Sequence, residues 1–254
     1  MVNRSRGTQG NLESISDSKQ RIIELCMAGA ASAAKPEAIE RYERGLKQIV
    51  DRERLEAYDR AAQAARKLVP VPRMTQDMVI KHYRPHASGP VLKRTTPLLA
   101  LKQWESVFDS EGRTVCAIIG KMGTGKTTAA MAAALKALLR GEAVVYVKEP
   151  TLVRWRKYVS LDEHMGRAMC AGLLIIDELG TETKHIEEAS SAILEAVDDR
   201  LAVGRTMLIG NLTRAEFRAR YDDRLTDRLR EVGVVNECDG DSLRGSARVA
   251  GGVQ

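Results

Sequence analysis

The second half of the chain alternates between short apolar runs and longer amphipathic segments. Five apolar runs have the length of buried strands and lie at Val115–Ile119, Ala143–Val147, Leu173–Ile176, Met207–Ile209 and Val232–Val235. The segments between them place apolar side chains at steps of three and four, as at Ile186, Ala189, Ile193, Val197 and Leu201. Strands that alternate with helices predict an α/β fold, in which a mostly parallel sheet is flanked by helices.

The first part of the chain has a different pattern. Residues 1–17 are rich in Gly, Ser, Asn and Arg, and we expect them to form a flexible tail. Residues 18–69 are expected to form a small helical module, because apolar side chains recur at helical spacing over residues 39–65. A phase slip after Ile49 leaves two forms open, one amphipathic helix or a helical hairpin.

A proline-rich stretch separates this module from the α/β pattern. Residues 70–95 hold four of the seven prolines of the chain and show no clear periodicity, so we predict a linker there. The α/β domain is then expected to span residues 96–254 and to begin with a helix at Thr96 and Pro97.

Composition narrows the class of protein further. With 254 residues, of which 44% are hydrophobic and 29% charged, the chain has the balance of a folded globular protein. It has no run of about 18 apolar residues. Residues 1–14 also lack the apolar core of a secretion signal, so we expect a cytoplasmic protein without a membrane span. The net charge of +6 is compatible with a nucleic-acid partner, and the cysteines and histidines show no metal-ligand spacing.

A glycine-rich motif follows the first apolar run. Residues 120–127 read GKMGTGKT, which matches G-x-x-x-x-G-K-[ST] between a predicted strand and an Ala-rich predicted helix. In that pattern the backbone N–H groups turn inward as an anion nest, and the helix N-terminus adds a favourable dipole. The residues expected to hold the phosphates of a nucleotide are Gly120, Gly123, Thr124, Gly125, Lys126, Thr127 and Thr128. Lys126 is expected to reach the β- and γ-phosphates, and the Thr127 hydroxyl to bind Mg²⁺.

An acidic pair closes the apolar run Leu173–Ile176. Asp177 and Glu178 follow this run at its carboxyl end, which is the edge at which parallel sheets bind ligands. Asp177 is predicted to hold Mg²⁺ through its water shell, and Glu178 to polarise the attacking water as a general base. The chain lacks the Asn-Lys-x-Asp sequence that is typical of guanine recognition, so ATP is the predicted nucleotide.

A polar residue also follows the fourth apolar run. Asn211 is predicted to orient the attacking water and to sense the γ-phosphate, although an Asn that caps a turn gives the same pattern. Thr213 and Glu216 have the spacing of a capping box, so a helix is expected to begin there. Residues 222–230 are rich in arginine. Such clusters are usually solvated, but in an oligomeric ATPase one arginine reaches the nucleotide of a neighbouring subunit.

Taken together, these motifs resemble the DnaC/IstB-type ATPases of the AAA+ superfamily, which are replicative helicase loaders and transposition ATP-binding subunits. The resemblance covers about residues 97–245. It is carried by LLIIDELGTETKHIEEASSAILEAVDD at 173–199, IGNL at 209–212 and TDRL at 226–229. The resemblance implies an AAA+ P-loop fold with a five-stranded parallel sheet, and a spiral oligomer that holds single-stranded DNA.

The resemblance also implies roles for two arginines. Arg228 corresponds to the arginine finger of the family, with Arg224 and Arg230 as rival candidates. Arg244 corresponds to the second sensor, in a segment that reads Asp-Ser-Leu-Arg at 241–244 where the family has Asp-Ser-Tyr-Arg.

Two segments are candidates for DNA contact. The first consists of Arg154, Trp155, Arg156, Lys157 and Tyr158. It interleaves cations with aromatic rings, as pairing with the DNA backbone and stacking on bases require. The same pattern fits an amphipathic helix with Trp155 in the core, and this alternative stays open. The second segment contains Thr183 and Lys184, where the resemblance implies a further DNA-contacting loop.

The resemblance implies partners as well. By its position, the module at 18–69 is expected to bind a DnaB-type replicative helicase. We therefore expect an ATP-dependent helicase loader that self-associates, with weak ATPase activity alone because a neighbouring subunit supplies the arginine finger. Two alternatives stay open. One is an IstB-like regulator of transposition that acts on double-stranded DNA with a transposase, and the other is a scaffold that binds ATP without turnover.

Overall fold

A computed structural model of the protein describes residues 36–68, 70–85, 92, 94–111, 113–158, 161–182 and 184–243, without the side chains of residues 36–43, 109 and 110. Within these ranges the helices are α1 (Pro36–Ala65), α2 (Arg73–Tyr83), α3 (Thr96–Glu111), α4 (Lys126–Leu139), α5 (Glu149–Lys157), α6 (Asp162–Cys170), α7 (Ile186–Arg200), α8 (Arg214–Arg220) and α9 (Asp223–Val232). The strands are β1 (Val115–Gly120), β2 (Val144–Lys148), β3 (Leu173–Leu179), β4 (Arg205–Gly210) and β5 (Gly233–Cys238). The predicted tail at 1–17 and the first part of the predicted helical module lie outside the described residues.

The strands in these ranges form one five-stranded parallel sheet in the order β2-β3-β4-β1-β5. Strands β1 and β4 are buried along their whole length, which explains why their sequences are almost continuously apolar rather than alternating. The predicted parallel sheet flanked by helices is therefore confirmed. Because all strands run the same way, their carboxyl ends share one edge, and β3, β4 and β1 lie side by side in its middle.

One face of the sheet is covered by α1, α2, α3 and the Ala-rich α4. Tyr58, Val79 and Trp104, from the first three of these helices, are buried in the same core as the alanines of α4. Helix α1 is continuous through the phase slip, so the single-helix alternative is confirmed and the hairpin alternative is wrong. The carboxyl-terminal part of α1 therefore belongs to the hydrophobic core that supports the sheet.

Helix α2 lies in the stretch that we predicted to be a linker without helical periodicity, and that prediction is wrong for residues 73–83. The prolines of the stretch flank the helix instead of interrupting it. Its buried positions are Gln76, Val79 and Ile80. Gln76 interrupts the apolar pattern of the buried face, so the sequence does not show helical periodicity here. Its side-chain amide donates a hydrogen bond to the carbonyl of Leu68 at 2.8 Å, which allows this polar residue to be buried.

The other face of the sheet is covered by α5 to α9, and its core contains one buried cation. Arg200, at the end of α7, donates hydrogen bonds of 2.6–3.1 Å to Thr206 Oγ1 and to the carbonyls of Ala168, Met169, Ala171 and Arg205. Burial lowers the pKa of Arg200 to about 10. None of the helices in the described part of the chain is long and apolar enough to cross a membrane.

Candidate nucleotide-binding site

The predicted phosphate loop joins the end of β1 to the start of α4. Gly120, Gly123 and Gly125 have φ angles of 124°, 87° and 99°, a region that side chains disfavour and glycine adopts freely. Lys126 is only 5% exposed, and its Nζ donates to the carbonyl oxygens of Gly120 and Lys121 at 2.8 and 2.6 Å. The ammonium group is therefore held against the loop, where it can pair with phosphate oxygens.

The start of α4 supplies donors for an anion. The amide of Ala129 bonds to the carbonyl of Gly125 at 3.0 Å, so the amides of Lys126, Thr127 and Thr128 lie in the first turn, before the first helical hydrogen bond. The helix dipole adds positive potential at this end. Together with the glycine conformations, this arrangement fits the phosphates of a nucleotide, although the assignment of each residue stays a prediction.

The end of the described chain lies across the same loop. The amide of Leu243 donates to the carbonyl of Gly123 at 2.9 Å. A Cβ atom at Gly123 would lie 2.2 Å from Oγ of Ser242, so this packing requires glycine. The hydroxyl of Thr124 donates a hydrogen bond to the carbonyl of Lys121 at 3.1 Å, which stabilises the loop conformation. Arg244, the predicted second sensor, comes next in the sequence but lies outside the described residues.

The acidic end of β3 lies beside the start of α4. Asp177 Oδ1 accepts a hydrogen bond from the amide of Glu178 at 2.7 Å, and Oδ2 accepts one from the hydroxyl of Tyr146. The Thr127 side chain lies near the same tyrosine hydroxyl and acts to lower its pKa. Burial raises the pKa of Asp177, and burial together with the Asp177 charge raises the pKa of Tyr146, which therefore stays protonated. The hydroxyl and the carboxylate predicted to hold Mg²⁺ are thus brought together, and both are oxygen ligands of the kind that this ion prefers.

Glu178 has a backbone conformation unlike that of its neighbours. Its φ is 59°, and no other non-glycine residue in the described ranges has a positive φ. Such a conformation costs of the order of 1–3 kcal/mol and is common at functional sites. The Oε1 atom lies 2.7 Å from Nζ of Lys148 at the end of β2, and 41% of the glutamate side chain is exposed. The carboxylate predicted as general base is therefore accessible but paired.

A second glutamate lies nearby and is fully buried. Glu149 is the first residue of α5, and its Oε2 accepts hydrogen bonds from the amides of Gly180 and Glu182, both at 3.0 Å. Its Oε1 accepts one from the hydroxyl of Tyr221, and Nη2 of Arg220 lies 3.8 Å from Oε2. One carboxylate therefore fixes both the loop after β3 and the end of α8.

The loop after β4 lies at the same edge of the sheet. Because β4 lies between β1 and β3, Asn211 follows a strand that is flanked by the phosphate loop and the acidic pair. A Cβ atom at Gly180 would lie 2.8 Å from the side chain of Leu212, so the loops after β3 and β4 are in contact. The predicted capping box of Thr213 and Glu216 is confirmed at the start of α8. The role of Asn211 stays a prediction.

The profile of the family described as IstB-like ATP binding protein matches residues 21–250, which is most of the chain. The chain belongs to this family. The match confirms the resemblance to DnaC/IstB-type ATPases and identifies an ATP-binding protein. No curated protein sequence matches the chain.

Solved structures resemble the fold of this IstB-like protein. A protein assigned as a primosome component from Streptococcus pyogenes serotype M3 is 17% identical, with 72% of this chain and 97% of that chain covered and a TM-score of 0.52. AMPPCP-bound DnaA from Aquifex aeolicus is 20% identical, with 60% and 50% covered and a TM-score of 0.50. The DnaC helicase loader is 18% identical, with 56% and 87% covered and a TM-score of 0.46.

These structures extend the comparison in fold only. At identities below 25%, the two structures with TM-scores of 0.50 and 0.52 show a shared architecture, and with the family match the predicted AAA+ P-loop fold is confirmed. The chain spans 44%, 45% and 50% of the length of three replication-initiator structures that it matches, so it corresponds to half of those proteins or less.

The three arginines considered as the finger of this IstB-like protein lie on α9 in different surroundings. Nε of Arg228 lies 2.6 Å from Asp198 on α7 and its Nη1 lies 2.6 Å from Glu231, and the Asp198 charge raises its pKa. Arg230 pairs with a neighbour on its own helix. Arg224 is exposed and forms no ion pair with any residue that the structure describes. Arg228 would have to leave two carboxylates to reach a neighbouring subunit, whereas Arg224 would not.

The three cations of the first predicted DNA segment lie on α5, and two of them, Arg156 and Lys157, face α7. Arg156 pairs with Glu195, and Nζ of Lys157 lies 4.0 Å from Glu188. These exposed pairs are worth about 1 kcal/mol or less each, so a phosphate can compete for both cations. DNA contact by these residues stays a prediction.

The aromatic residues of this segment have mixed surroundings. Trp155 is half-buried, and its ring stacks on His164 with the ring centroids 5.4 Å apart. Arg154 and Tyr158 are exposed. Trp155 therefore combines features of the core alternative and the surface alternative. In the second DNA segment, Lys184 is exposed just before α7, while Thr183 lies outside the described residues.

Sequence reasoning missed three polar residues at this site, namely Tyr146, Lys148 and Glu149. Tyr146 lies in the middle of β2, Lys148 ends the strand and Glu149 follows it. Each lies about thirty positions before a carboxylate or amide that it contacts. The strand register, which pairs Lys148 with Asp177, brings them together. The one signal in the sequence that could have identified them was the occurrence of polar residues around the end of β2, the strand that pairs with β3.

Proposed function

We propose that this IstB-like protein is a Mg²⁺-dependent ATPase that controls an assembly on DNA. The observation that carries the proposal is the convergence of Lys126, Thr127, Asp177 and Glu178 at one edge of the sheet. A cation, a hydroxyl and two carboxylates beside a helix N-terminus are the groups that transfer of a phosphoryl group to water requires.

Each of these groups has a distinct task in the proposal. The loop amides and Lys126 would bind the phosphates. Thr127 and Asp177 would hold Mg²⁺, which supplies charge neutralisation at the phosphate oxygens. Glu178 would accept a proton from the attacking water, for which its carboxylate must be released from Lys148. We expect slow hydrolysis by the isolated subunit, because the arginine finger would come from a neighbouring subunit.

The assembly that we favour is a helicase loader. In this proposal, ATP-bound subunits form a spiral on single-stranded DNA, and the module at 18–69 holds a DnaB-type helicase until hydrolysis releases it. Asn211 would sense the γ-phosphate, and Arg228 or Arg224 would act on the nucleotide of a neighbour. The support is the sequence resemblance at 173–199 and around 209–229. Replication in a bacterial cell would place such a protein in the cytoplasm.

The family match favours a second function. The matching profile is that of IstB, a protein of the IS21 type, and it extends over residues 21–250. A transposition regulator of this type would use the same nucleotide site but would bind double-stranded DNA and a transposase. The two functions therefore differ in partner and in DNA form, not in the chemistry of the site.

Copurification separates these functions. The full chain is incubated with a non-hydrolysable ATP analogue and either a DnaB-type helicase with single-stranded DNA or an IS21-type transposase with duplex DNA. A loader retains the helicase only with nucleotide, and Lys126→Ala abolishes retention. Retention of the transposase on duplex DNA, with none of the helicase, would replace the loader proposal with the second function.

Mixing two inactive variants tests the arginine finger. Glu178→Gln keeps its arginines, and Arg224→Ala or Arg228→Ala keeps its base. If the finger acts between subunits, the mixture with the correct arginine variant recovers activity that neither protein has alone. Wild-type turnover that does not exceed that of Glu178→Gln would instead support the scaffold without hydrolysis.

A further inference from the structure

Tyr146 lies inside the nucleotide site but belongs to none of its sequence motifs. On β2 it pairs in register with Ile175 of β3, so it lies on the same face of the sheet as Asp177, two residues further along. The residue is only 6% exposed and is buried in the same core as the alanines of α4. The packed ring of Tyr146 therefore places its hydroxyl near the start of α4.

The hydrogen bond at this hydroxyl has a defined direction. A tyrosine has one proton to donate, and Asp177 Oδ2 accepts it. The other oxygen of Asp177 is fixed by the Glu178 amide at 2.7 Å.

We infer that Tyr146 is a positioning residue for Mg²⁺, because its hydroxyl holds the Asp177 carboxylate in one orientation. This inference rests on the proposed function. A carboxylate oxygen that accepts one hydrogen bond keeps a lone pair for the water shell of the ion. Mg²⁺ demands near-ideal octahedral geometry, so its affinity depends on this orientation.

The test measures Mg²⁺ affinity separately from nucleotide affinity. A fluorescent, non-hydrolysable ATP analogue is bound first in EDTA and then titrated with MgCl₂. For Tyr146→Phe we expect the half-saturating Mg²⁺ concentration to rise about tenfold, as is typical when a residue that orients a metal ligand is lost. Binding of the analogue in EDTA should stay within about twofold of wild type, because the phosphate loop is untouched.

Tyr58→Phe is the matched control, since Tyr58 is equally buried and donates its hydroxyl to the carbonyl of Ile80, away from the site. The control should leave both measurements unchanged. A Mg²⁺ titration of Tyr146→Phe that coincides with that of Tyr58→Phe overturns the inference. An equal loss of binding in EDTA and in Mg²⁺ also overturns it, because it would show a general distortion of the loop.

A double-mutant cycle with Asp177→Asn completes the test. If Tyr146 acts through Asp177, adding Tyr146→Phe to Asp177→Asn leaves the Mg²⁺ titration of the single Asn variant unchanged. A further tenfold loss in the double variant overturns the inference. Absence of nucleotide binding by wild-type protein would instead refute the proposed function itself, so the two failures are distinguishable.

Discussion

Glu149 and Glu178 lie at the carboxyl ends of neighbouring strands, and their surroundings differ in burial and in the nature of their partners. Glu149 has no exposed surface and accepts hydrogen bonds from two backbone amides and a buried tyrosine. Glu178 keeps 41% of its side chain exposed and is paired with one flexible lysine. The buried carboxylate of Glu149, with its fixed donors, therefore supports the structure. The exposed carboxylate of Glu178, with one movable partner, remains available for chemistry.

The largest effect is expected at Glu178. Glu178→Gln should lower the ATPase rate by about 10²–10⁴-fold, the usual contribution of a general base, while nucleotide binding and stability stay unchanged. A turnover assay measures the ATPase rate of the variant, a binding titration its nucleotide affinity, and urea unfolding its stability. A fall in unfolding free energy comparable to that of a core variant would contradict the assignment of Glu178 to chemistry.

Glu149→Ala should mainly lower stability, whereas Glu178→Gln should mainly lower turnover. Removal of a buried, paired carboxylate leaves Arg220 without this counter-charge and two amides without their acceptor, and we expect the free energy of unfolding to fall by about 3–5 kcal/mol. Urea unfolding measures it, with Glu188→Ala on the surface of α7 as the control, expected to change little. A stable Glu149→Ala protein that has lost only turnover would reverse the roles of the two glutamates.

Tyr221→Phe removes one donor to Glu149 and keeps the ring. Because a hydrogen bond to a charged group contributes about 1.5–3 kcal/mol, we expect a loss of stability in that range, smaller than for Glu149→Ala. In the Glu149→Ala background the same substitution should cost much less, since its acceptor is gone. Equal losses in both backgrounds would show that the hydroxyl acts independently of Glu149.

The smallest effect is expected at Lys148. Exposed ion pairs contribute about 1 kcal/mol or less, so Lys148→Met should raise basal turnover by at most about fivefold as Glu178 is released. Lys157→Met, which removes an exposed lysine near Glu188, is the matched control and should leave turnover unchanged. A lower rate in Lys148→Met would show that the lysine assists the reaction instead of restraining its base.

Local patterns in the sequence were sufficient to predict much of the fold. The strands, the phosphate loop and the capping box at Thr213 depend on residues that adjoin in the chain, and their physics is complete within a few positions. The buried face of α2 was not predictable in this way, because Gln76 interrupts its apolar pattern and depends on the carbonyl of Leu68.

In the candidate site, too, some residues were predictable from local motifs and others were not. Lys126, Thr127 and the acidic pair follow from motifs, whereas Tyr146 and Glu149 owe their contacts to the register between β2 and β3 and to the path of later loops. A single sequence does not specify that register. The contrast between Glu149 and Glu178 was invisible for the same reason, since both are simply acids at the ends of strands.

The packing at Gly123 limits how this phosphate loop can evolve. The general motif leaves four positions open, and Met122, 62% exposed, shows that one of them tolerates a bulky side chain. At 123 the φ of 87° and Ser242 each oppose a Cβ atom, so shortening Ser242 to Gly would remove only one of the two obstacles. In this protein one position that the motif leaves open is therefore restricted to glycine, whereas position 122 accepts a large side chain.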